Sequence, residues 1–421
     1  MPLAAAGLLA CASFAPHSPE SIPFLERAQS QTRDGVTVTV AVPSRDEAKQ
    51  LFGVDLEKKR IQPVYLELKN GAVIPWAVMM TGVDPNYFSA REAAYKSHFR
   101  WRPATNNRMD DHFDGLGLDT LTAPGETTAG FVFSNLKLGT KEVRVRLHGP
   151  QRTQLFEFYV PVPGFKADYH EVDWEALENQ DFQHFDEEES LRAALRALPC
   201  CTTRMDGSGK GDPVNLILIG SGEEVAAALN RAGWDETEKL TFASGWRTFK
   251  AFFGGEYKYS PMSSLYLFGR GQDAGFQKAR DTIHERNHLR LWMSDMKFEG
   301  EHVWVGTITR DIGVYFTTKA WNLTTHAIDP AVDEARTYIS EDFMNAQSIA
   351  RLGLVQGVGA ATSDKPHRNL MNAPWWTDGT RVVMEVSKRP MSYEEVAFFY
   401  WDWGTDNDEA FNEALRRAAG R

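Results

Sequence analysis

The chain has 421 residues, 42% of them hydrophobic and 24% charged, and carries a formal net charge of −11. That length exceeds one ordinary core and suggests two domains of a folded, globular chain. The acidic balance argues against a nucleic-acid partner, and no apolar run approaches the roughly 20 residues that span a bilayer. Any anion-binding site must then be a local cluster of cations.

The first stretch, Met1 to Cys11, reads MPLAAAGLLAC, and its segment Leu8-Leu9-Ala10-Cys11 resembles a bacterial lipobox with Cys11 as the acylated residue. No basic n-region precedes it, and its apolar part is shorter than a typical secretory one. A start codon placed too late would account for both. The lipobox implies a periplasmic, lipid-anchored protein whose membrane association is through that anchor only. The competing reading is a loose apolar N-terminus.

After a Ser/Pro-rich leader ending near residue 30, Val36, Val38 and Val40 alternate with Thr37 and Thr39, the period-2 pattern of a half-buried strand. Val64, Leu66 and Leu68 repeat it, as do Val143, Val145 and Leu147, and then Phe156, Phe158 and Val160. Asn70-Gly71, Asp84-Pro85, Pro124-Gly125 and His148-Gly149-Pro150 punctuate these runs. Short strands with such turn signals predict an antiparallel β-sandwich over residues 31–165, with Arg91 to His98 as the helical interruption. Residues 166–188 are strongly acidic with interleaved aromatics and read as a solvated linker, its His170 and His184 incidental.

A second, mixed α/β domain is expected over residues 189–402, followed by a tail, so the fold class is α+β. A helix from Glu189 to Leu198 opens the domain, Asn215 to Ile219 is an apolar strand, and Glu223 to Arg231 is a helix. Gly220-Ser221-Gly222 has the form of a phosphate-cradling turn. Val225 stands where a dinucleotide fingerprint needs its third glycine, so a tight strand-to-helix turn is the better reading. Cys200 and Cys201 are adjacent and either form a vicinal disulfide or stay as two buried thiols. No second Cys or Cys/His pair lies at zinc-ligand spacing, and no metal or cofactor is expected. Leu265, Leu267 and Gly269 share one expected strand face, and Arg270 and Asp273 follow within ion-pair reach. On a surface such a pair contributes under about 1 kcal/mol.

The most informative stretch runs from His284 to Arg336. On a strand over His284 to Met293, Arg286, His288, Arg290 and Trp292 share one face, and Asn287, Leu289, Leu291 and Met293 take the other. The second is a core face. The first sets two guanidinium groups and an imidazole in a row, which is costly to bury without partners. A turn over Ser294 to Glu301 predicts an antiparallel hairpin, and a centre near Phe298 pairs Trp292 with Trp304, Arg290 with Gly306 and Arg286 with Arg310. Facing arginines call for an anion between them, either Asp311 or a bound phosphate or carboxylate held by the guanidinium fork. Downstream, Asp329-Pro330 predicts a helix start, with Asp333 and Glu334 answering the helix dipole and Arg336 pairing Asp333.

The ordered segments LPCCTTRMDGSGKGDPVNLILIG, YSPMSSLYLFGRGQDAGFQKAR, RNHLRLW, VWVGTITRDIGV and THAIDPAVDEAR resemble the LssY C-terminal domain family, from near Leu191 to near Ser387. The resemblance implies a bacterial envelope protein, since members occur fused to DedA-type membrane segments and to phosphatidic-acid-phosphatase-type domains. It hints at lipid-derived or phosphate-bearing ligands and carries no catalytic residues over. It does not extend to the N-terminal sandwich.

Three functions follow as expectations. In the first, Arg286, Arg290, Arg310, Arg270 and Asp273 bind an anionic small molecule or lipid head group, while the sandwich meets an envelope protein. In the second, an envelope hydrolase uses His288 or His326 as acid/base with Asp311 or Asp333 orienting it, or sets His288 and His326 with an acid on a metal. No GxSxG, HExxH, P-loop or EF-hand pattern supports a standard class. In the third, acids from elsewhere in the fold neutralise the polar row and the protein is purely structural.

Overall fold

The alternation from Val36 onward does what its period requires: Val36, Val38 and Val40 are buried while Thr37 and Thr39 are half-exposed. The computed structural model describes residues 14–237, 262, 264–279, 286–316, 324–402 and 417, excepting the side chains of 314–316 and 324–327. The chain divides into two compact units, Met1–Phe165 and Lys166–Arg421.

The first unit has two antiparallel four-stranded sheets among the described residues. One sheet holds β1 (Gln29–Arg33), β2 (Val36–Ala41), β3 (Ile61–Asn70) and β6 (Thr127–Asn135), in that order. The other has the order β5 (Leu121–Thr122), β4 (Trp76–Met79), β7 (Thr140–Gly149), β8 (Arg152–Pro161). Their facing residues form one core, with Val38, Leu66 and Val132 from the first sheet and Val145, Phe156 and Trp76 from the second. This is the expected sandwich. The helical content was underestimated. Phe131 and Phe133, on the opposite face of β6 from Val132, pack with Leu51 and Phe52 of α1 (Arg45–Phe52) and with Met109 and Phe113 of α4 (Pro103–Leu116). Both helices are polar over most of their length, so period alone does not reveal them. Ser44 and Glu47 form a capping box at the start of α1. The helix α3 (Ala90–Tyr95) overlaps the span Arg91 to His98 expected to be helical, starting one residue earlier and ending three residues sooner.

The second unit is built on a mixed sheet of ten strands among the described residues. Its central order is β11 (Asp235–Glu236), β14 (Ala274–Ala279), β15 (Arg286–Phe298), β16 (Glu301–Phe316), β10 (Leu216–Ile219), β21 (Thr380–Val386), β18 (Ile349–Gln356) and β22 (Ala397–Phe398). The continuous apolar run of β10 serves both faces. Leu216 and Leu218 join the core of α7 (Gly222–Arg231) and the helix Val332–Asn345, while Ile217 and Ile219 join that of α6 (Glu188–Ala197). Ser221 and Glu224 cap α7 with a capping box, so the Gly220-Ser221-Gly222 turn is a strand-to-helix turn. Arg381 is fully buried and donates to the carbonyls of Val214, Leu195, Leu198, Pro199 and Gly357. It thereby satisfies the carbonyl end of α6, and burial pulls its guanidinium down to about 10.

Four sequence expectations need correction. Residues 166–188 are no linker: Tyr169, Trp174, Leu177 and Phe182 pack against the core, and β9 (Gln183–Phe185) pairs in parallel with the end of β15. Leu265 to Gly269 is not one strand face, because Phe268 and Gly269 take left-handed φ values of 53° and 76° and turn the chain between two-residue strands. The helix after Asp329-Pro330 begins at Val332 with Ala331 as its N-cap, and Asp329 accepts instead from the Ala331 N–H. The hairpin register also differs. β15 and β16 close through Glu299 and Gly300 at φ 49° and 88°, and a bulge between Met293 and Lys297 absorbs the remainder. Trp304 is therefore opposite Met293, Gly306 opposite Leu291 and Arg310 opposite Asn287.

Candidate functional site: a buried Arg/His/Asp cluster

Strand parity places Arg286, His288 and Arg290 on the same face of β15 as Trp292, away from Leu289 and Leu291. Gln277 and Gly275 of β14 lie opposite His288 and Arg290, and Thr309 and Thr307 of β16 lie opposite the same two residues. Asp311 stands two residues beyond Thr309 on the same strand. All four charged or imidazole groups are buried: Arg286 is 5% exposed, His288 7%, Arg290 6% and Asp311 3%.

Asp311 Oδ2 lies 2.6 Å from His288 Nε2 and 3.8 Å from Arg286 Nε. Arg286 Nε is also 2.9 Å from His288 Nε2, and its Nη1 donates to Gln277 Oε1. A proton on Nε2 therefore goes to the carboxylate, the nearer partner, and leaves Nδ1 as the lone-pair nitrogen, 2.8 Å from Met262 Sδ. Arg290 Nη1 lies 4.0 Å from Asp212 Oδ2, and Asp212 accepts from Asn369 at 3.1 Å. Asp168, from the segment read as a linker, accepts from Thr237 Oγ1 at 2.8 Å and the Gly275 N–H at 3.3 Å. Gly275 is what admits it. A Cβ at that position would sit 2.5 Å from Thr237 Oγ1 and 2.7 Å from both Asp168 Oδ2 and Met262 Cε.

The electrostatics follow from burial. Desolvation pulls His288 down to about 4, against the opposing pull of Asp311, so the imidazole is neutral at pH 7. It pulls Arg286 down to about 10 and lowers Arg290, which Asp212, Asp311 and Asp168 help to keep charged. The same desolvation pushes Asp168 up to about 6 and raises Asp212 despite Arg290 beside it. Two guanidinium groups thus share a low-dielectric interior with three carboxylates, and burial shifts two of these toward their protonated form. The Thr307 hydroxyl, opposite Arg290, is fully buried and has no hydrogen-bond partner among the described residues.

Other expected site residues lie elsewhere. Arg310 is on the opposite face, where its Nε donates to Asn287 at 3.1 Å and its guanidinium covers Tyr338, so it does not face Arg286. Arg270 and Asp273 grip each other through two bonds of 2.9 and 2.8 Å, and Asp273 also accepts from the Met293 N–H at 2.7 Å. Asp273 is buried, so this is an internal clasp between strands and not the surface pair expected. Gly306 packs near Leu291 and Leu216, and the space beside Arg290 is made by Gly275 instead. Asp333 accepts from Thr377 Oγ1 and the Asp378 N–H, and Arg336 forks onto Asp378 as well as pairing Asp333, which leaves both as structural residues. The backbone of His326 pairs with Val314 in β17 (Thr324–Ile328), but its side chain lies outside the described residues, as does Cys11. Among the described residues no group of three or more His, Cys, Asp or Glu side chains is placed to hold a metal ion.

Sequence reading missed Asp168, Asp212, Gly275, Gln277 and Thr307. Asp168 was hidden in an acidic run, and Asp212 carried no signal beyond its place in a segment of the family resemblance. Chemically, the cluster offers two buried cations for an oxyanion and one neutral imidazole, backed by a carboxylate, for moving a proton.

No curated protein matches the chain. Residues 193–380 match the model of a family described as LssY C-terminus, while the N-terminal half has no family match. The matched span lies within the second unit and holds every member of the cluster except Asp168.

Proposed function

We propose that the second unit binds a phosphate- or carboxylate-bearing ligand, such as a lipid-derived head group, at Arg286, His288 and Arg290, in a cell-envelope protein. The observation that carries this reading is the Thr307 hydroxyl beside Arg290. A buried hydroxyl without a partner costs about 1–3 kcal/mol, and an oxyanion seated on Arg290 would supply its acceptor. The density of displaced titrations on one strand face supports the same reading, because such clusters concentrate at functional sites. The ligand would compete with Asp212 and Asp311 for the guanidinium groups, and the proton affinity of Asp212 favours that exchange. For location, the vicinal disulfide between Cys200 and Cys201 suits an oxidising compartment. This agrees with the periplasmic, Cys11-anchored protein that the lipobox implies.

A second reading, hydrolysis of a phosphate-bearing envelope compound, is favoured by one contact. The 2.6 Å bond between His288 and Asp311 is the geometry of an oriented acid/base pair.

One experiment separates these readings. Thermal unfolding of the full chain is followed with inorganic phosphate and with a phosphate monoester, for the wild type and for Arg290→Lys and Thr307→Val. Binding raises the midpoint of the wild type, with about 2.7 kcal/mol of stabilisation at a hundredfold excess over the dissociation constant, and both variants lose most of the rise. An unshifted wild type rejects the ligand site and leaves the internally neutralised, structural cluster. Monoester turnover that disappears in His288→Gln selects the hydrolase.

A further inference from the structure

The link between α3 and α4 presents an aromatic and basic tip to solvent. Tyr95 is 72% exposed and Trp101 84% exposed, and Lys96, Arg100 and Arg102 are exposed beside them in sequence. An exposed tryptophan is uncommon by itself; here its backbone is also unusual. Trp101 takes φ +63°, the left-handed region that a bulky side chain enters only at a cost. The Arg100 guanidinium lies over its ring at 5.3 Å.

The tip is held in place from below. Asn106 of α4 clasps the Phe99 backbone on both sides, accepting from its N–H at 2.9 Å and donating to its carbonyl at 3.0 Å. Phe99 packs against the core of Ala93, Ala94, Met109 and Phe113, and His98 is bonded to the buried Asp110 at 2.8 Å. With residues 98 and 99 turned inward and fixed, Trp101 points outward on an anchored base.

We propose that this tip is a contact for an anionic bilayer surface. Charge complementarity favours that occupant. On a chain of net charge −11, Arg100 and Arg102 oppose the overall repulsion from a negative surface, while Lys96 is paired with Glu92 at 3.7 Å. Trp101 and Tyr95 supply the amphipathic rings that settle at the head-group level, and Arg100 and Arg102 supply long stems that reach phosphates from there.

The test is flotation of the full chain carrying Cys11→Ser, which removes any acyl anchor. Vesicles are of phosphatidylcholine, alone or with phosphatidylglycerol. Uptake is expected with the anionic vesicles and should fall with salt. Each cation near such a surface is worth about fivefold in partition, so the double variant Arg100→Gln/Arg102→Gln should lose about 25-fold. Trp101→Gly should also lose uptake while its unfolding midpoint stays level or rises, because glycine relieves the left-handed φ. That result separates a lost contact from a lost fold. Uptake indifferent to these substitutions overturns the proposal. So does an absence of uptake, whether or not Trp101 then proves to mediate self-association or capture of an acidic protein.

Discussion

Gly275 lies directly opposite Arg290 across the β14–β15 ladder, and the space its missing side chain leaves is filled by the Asp168 carboxylate and the Thr237 hydroxyl. One residue without a Cβ thus lets an acid from a distant part of the chain settle against the Gly275 backbone, from where its charge acts on Arg290. Gly275→Ala should displace Asp168, Thr237 and Met262 together and cost about 1–3 kcal/mol through overpacking. Urea denaturation of the variant checks this, and a midpoint equal to that of the wild type would refute the tight fit.

His288 sets a pH dependence whose sign can be worked out. Its folded value of about 4 lies below the ordinary histidine value, so between about pH 4 and 6.5 the unfolded chain binds a proton that the folded chain refuses. The His288 contribution is therefore level above pH 6.5 and falls as pH drops to about 4, by on the order of 3 kcal/mol. Asp168, raised to about 6, runs the other way and loses its contribution as pH rises from about 4 to about 6. The stability difference between wild type and His288→Gln isolates the first effect. Urea midpoints at several pH values should show that difference shrinking with acid, and a flat difference would mean the imidazole is not held neutral.

Thr307→Val replaces a buried hydroxyl lacking a partner among the described residues by a methyl of similar shape. Without ligand it should stabilise the fold by about 1 kcal/mol, the saving of an unmet hydrogen bond. A loss of stability would show that the hydroxyl is already satisfied.

Arg381 holds five backbone carbonyls and no carboxylate among the described residues. Arg381→Met should cost on the order of 3 kcal/mol by leaving those acceptors unmet, and Arg381→Lys should fall between, since three donors cannot span the same set. Equal stability of the methionine variant and the wild type would discount the capping role.

What was legible in the sequence was whatever parity alone decides. The two faces of β15 follow from alternation, and the sandwich follows from four clean period-2 runs. The hairpin register was not legible, because it depends on two left-handed residues, Glu299 and Gly300, and on a bulge that no spacing announces. That single slip moved Arg310 to the apolar face and gave Gly306 the role that Gly275 holds. The acids around Arg290 were also beyond reach. Asp168 and Asp212 come from segments far earlier in the chain, and only the tertiary fold brings them to the arginine. The polar helices α1 and α4 bury only a few residues each, too few to impose a helical period on their sequences.

The folding of residues 166–188 into the second unit has a practical consequence for anyone excising the domain. The family match begins at residue 193, yet the edge strand Gln183–Phe185 and the Asp168 carboxylate both lie upstream of it. A fragment trimmed to the matched span would expose one flank of β15 to other chains and strip an acid from the neighbourhood of Arg290. Homology boundaries here cut through a folding unit, and an expression fragment should start near Lys166.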